Sequence, residues 1–172
     1  LQIAKNVEIY LYEFPTDCYW FATPNLYVIA DNIKWARDAG ILNVYMQIAG
    51  CGTGNGAELC DLRAWVYAKK LWNPDLDTHA LVEEFCRGYY GPAAEVVLQA
   101  ITMTNNMKVY GPDDKMLRVN QCPLNRPFLD PKLMRDINVM LEKAYNGLND
   151  DVYKKRLSAV WISYLWSDVW LG

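Results

Sequence analysis

The chain has 172 residues and carries 17 Lys and Arg against 20 Asp and Glu, which gives a formal charge of −3. Phosphate binding requires a basic face, so this balance argues against nucleic acid as a partner. Apolar residues make up 52% and charged residues 22%, which excludes a disordered chain. No stretch reaches the roughly 18 apolar residues of a membrane helix, so no membrane insertion is expected.

The single histidine and the five cysteines narrow the possible chemistry. A His-rich metal site is excluded, and a Ser-His-Asp centre would have to use His79, which we expect to be a surface residue. The cysteines show no CxxC spacing, so we expect packed thiols rather than a disulfide framework or a zinc knuckle. Neither a metal nor a cofactor is predicted.

The first half of the chain alternates strand and helix. Residues 7–12 alternate apolar and polar side chains, which predicts a strand. Thr23 before Pro24 is typical of a helix start, and Gly40 of a helix end. Residues 41–49 are nearly all apolar, as in a strand covered on both faces. After the glycine-rich loop 50–56, the pattern predicts a helix over 57–72, and strands of such a βαβα unit are parallel.

The second half is predicted to be helical, with a loop at 107–128. Helices are expected at 78–90, 92–106, 131–146 and 150–170. Two parallel strands do not make a stable sheet alone, so either the helices wrap a two-stranded core or the chain is the end of a larger α/β fold. We favour the larger fold. The last helix is apolar nearly all round, which predicts burial on more than one side.

Two stretches carry a family resemblance: residues 58–77, ELCDLRAWVYAKKLWNPDLD, and residues 84–91, EFCRGYYG. Over residues 5–100 the chain resembles the C-terminal region of a bacterial family, the domain of unknown function 4838, whose members are similar to glycoside hydrolases of the (β/α)8 type. The resemblance implies an α/β fold in which residues 1–75 form the last two βα units of a TIM-like barrel. Residues 76–172 would then form an α-helical C-terminal subdomain.

The same resemblance implies a function and partners. The chain would be part of a glycoside hydrolase acting on a poly- or oligosaccharide. The rest of the barrel would come from a missing N-terminal portion of the same polypeptide or from a partner subunit. Secretion or a periplasmic location is a further expectation that rests on the resemblance.

Two acidic residues are candidates for catalysis. Glu13 and Asp17 follow the first strand, where a barrel places its active site. Glycoside cleavage needs two carboxyl groups about 5–10 Å apart. Because acids in loops are usually solvated, and because the acid pair of similar barrels comes from earlier strands, we expect the catalytic pair to lie outside this chain.

The substrate-binding candidates lie at the end of the first strand or in the segments that follow the two strands. Aromatic rings stack on the apolar face of a sugar, while polar side chains bind its hydroxyl groups. Packing of the rings onto the fold is the alternative for the aromatic candidates, and a helix-dipole role in the first turn of the second helix is the alternative for Glu58. The candidates are Tyr12, Tyr19, Trp20, Asn55 and Glu58.

Two other functions remain open. The glycine-rich loop has the layout of a dinucleotide-binding fingerprint. A predicted strand is followed by Gly52-x-Gly54-x-x-Ala57 and then by a predicted helix. Against it, Glu58 places a negative charge where phosphate would lie, and no second strand ending in an acid follows. A carbohydrate-binding or scaffolding module without catalysis is the other alternative.

Overall fold

The computed structural model describes residues 7–12, 21–41, 43–47, 58–106 and 130–171. Helices dominate this part of the chain, and they correspond closely to the predicted ones. The elements are β1 (Glu8–Tyr12), α1 (Leu26–Asp38), β2 (Asn43–Gln47), α2 (Cys60–Trp72), α3 (Thr78–Tyr90), a 3₁₀ turn (Gly91–Ala93), α4 (Ala94–Asn105), α5 (Pro131–Gly147) and α6 (Asp151–Leu171). The predicted loop at 107–128 lies outside the described residues.

The helix ends follow from local chemistry. Asp77 caps α3 by accepting a hydrogen bond from the backbone N–H of Ala80, and Asp130 caps α5 in the same way. The predicted cap at Thr23 is wrong. Its hydroxyl donates to the carbonyl of Phe21 at 3.1 Å, and α1 begins three residues later.

The described strands β1 and β2 form one parallel pair, as predicted. The register runs from Glu8 opposite Asn43 to Tyr12 opposite Gln47. Alternate residues point to opposite faces of a sheet. One face packs Leu11 against the helices, and the other face exposes Glu8, Tyr10, Asn43 and Tyr45.

The expected fold class, the C-terminal portion of a (β/α)8 TIM-like barrel, is wrong. The described residues contain two strands and are mostly helical. Strands of a parallel barrel are buried on both faces, whereas no strand side chain described here is fully buried. The apolar run of β2 predicted cover on both faces, yet Tyr45 is 63% exposed.

The core lies among the helices rather than under the sheet. Each helix buries an apolar stripe against its neighbours, and among the described helices the most extensive packing is between α5 and α6 and between α3 and α4. One contiguous cluster contains residues from all six α-helices, among them Leu26, Leu62, Val82, Val97, Leu141 and Leu157. The helices therefore bury their apolar faces against one another instead of ringing a sheet.

Helix α6 is buried on one side only within the described structure. Leu157, Val160 and Tyr164 face the core, while Ile162 and Val169 are exposed. The predicted burial on a second side is therefore not observed among the described residues. None of the helices in this part of the chain combines the length and hydropathy needed to cross a membrane.

The described cysteines differ from one another. Cys86 is a buried free thiol, and burial raises its pKa to about 12. Cys60 is disulfide-bonded, with its partner outside the described residues. The expectation that all five cysteines are thiols is therefore wrong. The spacing of cysteines along the chain does not indicate which sulfur atoms lie close together in the fold. Proteins with persistent disulfides usually mature in an oxidising compartment.

Candidate functional site

The sequence-predicted site residues separate into those that the structure describes and those that it does not. Tyr12 ends β1 and pairs in register with Gln47. Glu58 precedes α2 and is buried. The remaining candidates lie outside the described residues: Glu13, Asp17, Tyr19, Trp20 and Asn55.

The outward face of the sheet carries a pair of stacked tyrosines. Tyr10 on β1 and Tyr45 on β2 are register partners, and their ring centroids lie 5.1 Å apart with planes inclined by 11°. They are 54% and 63% exposed, respectively. Because the two ring planes are nearly parallel and their centroids are close, the tyrosines stack face to face and form a small aromatic platform, and the ring of a ligand can stack on the outer face of either one.

A polar pair lies next to this platform. Glu8 and Asn43 are register partners two residues before the tyrosines, and both are exposed. Neither has a hydrogen-bond or ion-pair partner among the described residues. Their carboxylate and amide groups are therefore available to a ligand. An open depression of about 640 Å³ is lined by Glu8, Ile9, Tyr10, Asn43, Val44 and Tyr45.

The opposite face of the sheet fixes this surface in place. Leu11 and Met46 pack against the helical core. Ile9 and Val44 are half-buried on the same side. Because the inner face is held by packing, the outer side chains are presented from a preorganised backbone.

A buried ion pair lies at the start of α2. Nη2 of Arg63 lies 2.6 Å from Oε2 of Glu58, and the two side chains are 0% and 1% exposed. Removing both charges from water is costly, and a buried pair is tolerated when its remaining hydrogen-bonding groups are satisfied. Here the Nε of Arg63 donates to both the backbone carbonyl and Oε2 of Glu58.

The other donors of Arg63 tie α2 to the segment before α1. Nη1 donates to Oδ1 of Asn25 at 2.7 Å and to the hydroxyl of Tyr67, and Nη2 donates to the carbonyl of Thr23 at 2.9 Å. Residues 13–20 and 48–57, which hold five of the predicted site residues, rejoin the described structure next to these groups. The Arg63 network therefore anchors the chain where both segments end.

The turn between Glu58 and α2 is strained. Leu59 has φ 49° and ψ 29°, the left-handed conformation that side chains other than glycine seldom adopt. Such a conformation costs of order 1–3 kcal/mol and persists only where the surroundings impose it. Burial of Leu59 in the core and the adjacent ion pair supply that constraint.

A second cavity lies where α1, α2 and α3 meet. It has a volume of about 280 Å³, and its lining includes Tyr27, Lys70 and His79. Lys70 is buried and donates to the carbonyls of Pro74 and Leu76, and desolvation lowers its pKa. His79 is exposed, as predicted, and its ring stacks on Tyr27. Both hydrogen bonds that Lys70 donates go to the turn before α3, which indicates that Lys70 has a structural role.

Sequence reasoning missed Arg63 and Lys70, although a signal was present. Both lie on the stripe of α2 that also contains Leu62 and Val66. A cation on the apolar stripe of a helix must be paired or hydrogen-bonded, so its position there indicates a buried polar network. Among the described residues, no group of His, Cys, Asp or Glu is placed to hold a metal ion.

Comparison with known proteins identifies one family. Neither the curated proteins nor the solved structures contain a match to this chain. The family described as "Domain of unknown function (DUF4838)" matches residues 1–102, which include both strands and the helices through most of α4. The resemblance found in residues 58–91 is thereby confirmed. The chain belongs to the DUF4838 family.

Proposed function

We propose that this chain binds a poly- or oligosaccharide through the outward face of its sheet, as the substrate-recognition part of a glycoside hydrolase. The observation that carries the proposal is the exposed, stacked pair of Tyr10 and Tyr45. The family description leaves the activity open, so the argument rests on the chemistry of this face.

The platform suits a sugar ring. One side of a pyranose is lined by C–H groups and is apolar, so it can stack on an aromatic ring. Its hydroxyl groups need donors and acceptors at the rim of the platform. Asn43 supplies both, and the carboxylate of Glu8 accepts two or more hydrogen bonds. Ligand sites typically combine an apolar contact surface with a small number of polar groups beside it.

The catalytic acids are assigned elsewhere in the protein. Glycoside cleavage requires two carboxyl groups about 5–10 Å apart. On the described part of this face Glu8 is the only carboxylate, because its neighbours are tyrosines, Asn43 and Gln47. The face therefore serves recognition, and Glu13 and Asp17 remain untested candidates for catalysis.

Replacing either tyrosine by alanine is expected to weaken glycan binding. A stacked ring contributes about 0.5–1.5 kcal/mol, so Tyr10→Ala and Tyr45→Ala should each lower the affinity about two- to thirteenfold. The measurement is isothermal titration of each variant with soluble oligosaccharides first identified on a glycan array. Trp35→Ala is the matched control, because Trp35 is an equally exposed ring, 61%, on α1.

Unchanged affinity in both tyrosine variants, or an equal loss in Trp35→Ala, would contradict the proposal. Release of reducing ends from a bound glycan by the full-length protein would support hydrolysis. Binding without release would favour the carbohydrate-binding module instead.

A further inference from the structure

Among the described residues, one side chain supplies the charge of the proposed sugar-binding face. Glu8 is exposed at the beginning of β1, and no cation pairs with it among the described residues. The alternate strand positions around it hold Tyr10, Asn43, Tyr45 and Gln47, which are neutral. The described part of this face therefore presents a single, uncompensated negative charge.

The spacing of Glu8 and Tyr10 along β1 places the charge within reach of a sugar bound at the tyrosine pair. Residues two apart on a strand are separated by about 6.6 Å. Glu8 and Asn43 precede the two tyrosines along the strands, so a substituent of a pyranose ring stacked on the outer face of Tyr10 or Tyr45 can extend toward them. A hydroxymethyl group at that position can donate to the carboxylate, whereas a carboxylate substituent cannot donate and is repelled.

We infer that Glu8 is a specificity-determining residue that makes this face select neutral glycans and reject glycans containing uronic acid. The inference rests on the proposed function, because it concerns the same face. Two like unit charges about 5 Å apart in water repel enough to change an affinity about fourfold, and salt screens this repulsion. The discrimination should therefore be largest at low ionic strength.

The test compares sugars that differ only in the oxidation of C6. A hexasaccharide of glucose is compared with one of glucuronic acid, and a hexasaccharide of galactose with one of galacturonic acid. Each is titrated into the protein at low and at high salt. For whichever pair of sugars binds, we expect the neutral sugar to bind at least about fourfold more tightly than the acidic sugar at low salt. Glu8→Gln should bring the two affinities within about twofold of each other, since it keeps the shape and removes the charge.

Glu142→Gln is the matched control, because it removes the same charge from an exposed position on α5. It should leave the discrimination unchanged. Equal affinities in the unaltered protein, or discrimination that persists in Glu8→Gln, would overturn the inference while leaving the proposed function standing. Binding that Tyr10→Ala does not weaken, or no binding of any glycan, would overturn both.

Discussion

Replacing Arg63 by methionine is expected to lower the free energy of unfolding by about 3–5 kcal/mol. The substitution keeps an apolar stem in the core and removes the charge that pairs with Glu58. The carboxylate of Glu58, 1% exposed, then loses the Arg63 guanidinium, and the Thr23 carbonyl loses a donor. Urea denaturation followed by circular dichroism measures the difference.

The control is an arginine with the same kind of partners at the surface. Arg87 pairs with Glu83 and Glu95, and its side chain is 54% exposed. Because exposed pairs contribute little, Arg87→Met should cost less than about 1 kcal/mol. Similar losses for Arg63→Met and Arg87→Met would show that the buried network is not an anchor of the fold.

Removing the second charge should restore part of the lost stability. Glu58→Gln with Arg63→Met removes both charges of the buried pair, so this double variant should be more stable than Arg63→Met alone. Arg63→Lys is not expected to be neutral. A lysine has three donors on one atom and cannot reach Asn25, Tyr67 and Thr23 together in the arrangement of the guanidinium.

Replacing Gly91 by alanine is expected to destabilise the protein by about 2–5 kcal/mol, for two independent reasons. Gly91 has φ 52° and ψ −119°, a conformation open essentially to glycine alone. A Cβ atom there would also lie 2.5 Å from two ring atoms of Tyr153 on α6. Thermal and urea unfolding of the variant test the prediction.

The matched control is Gly88→Ala in the interior of α3. A Cβ at Gly88 meets nothing within 4 Å, and alanine favours helix, so this change should stabilise by about 0.5–1 kcal/mol. In the double variant Gly91→Ala with Tyr153→Leu, a smaller side chain replaces the tyrosine ring. This variant should recover the stability lost to the steric clash but not the stability lost to the backbone conformation of residue 91. A Gly91→Ala variant as stable as the unaltered protein would contradict the described turn.

The helices were predictable because their boundaries depend on nearby residues. Asp77 and Asp130 cap helices through hydrogen bonds to backbone groups two or three residues later. Gly40, with φ 80°, ends α1 as expected from its sequence. Such signals are local, so the sequence alone locates them.

The arrangement of these elements was not predictable in the same way. The alternation in residues 7–12 indicates a strand with Ile9 and Leu11 on one face, which is observed. It does not indicate what covers the other face. The apolar character of β2 suggested a fully buried strand, yet Tyr45 is exposed and stacks on Tyr10. Two parallel strands are equally consistent with a barrel and with a sheet at the edge of a helical core.

The candidate site shows the same limit. The residues that the sequence singled out lie at the end of β1 or beyond the ends of β1 and β2, whereas the described platform is formed by Tyr10 and Tyr45 within the strands. Pairing across the sheet brings these two rings together, and pairing is not visible from either strand alone. The acceptors of Arg63 are likewise up to 40 residues away in sequence. A cation on an apolar stripe reveals burial, but its partners emerge only from the fold.

The most direct test of the account is an NMR measurement of which rings contact a bound glycan. The protein is labelled on its tyrosines, the signals of Tyr10 and Tyr45 are assigned from Tyr10→Phe and Tyr45→Phe, and a binding oligosaccharide is added. We predict intermolecular NOEs between the C–H protons of the sugar and the ring protons of both tyrosines. NOEs confined to other rings, such as Tyr27 beside His79, with Tyr10 and Tyr45 unaffected, would contradict the assignment of the sheet face as the sugar-binding site.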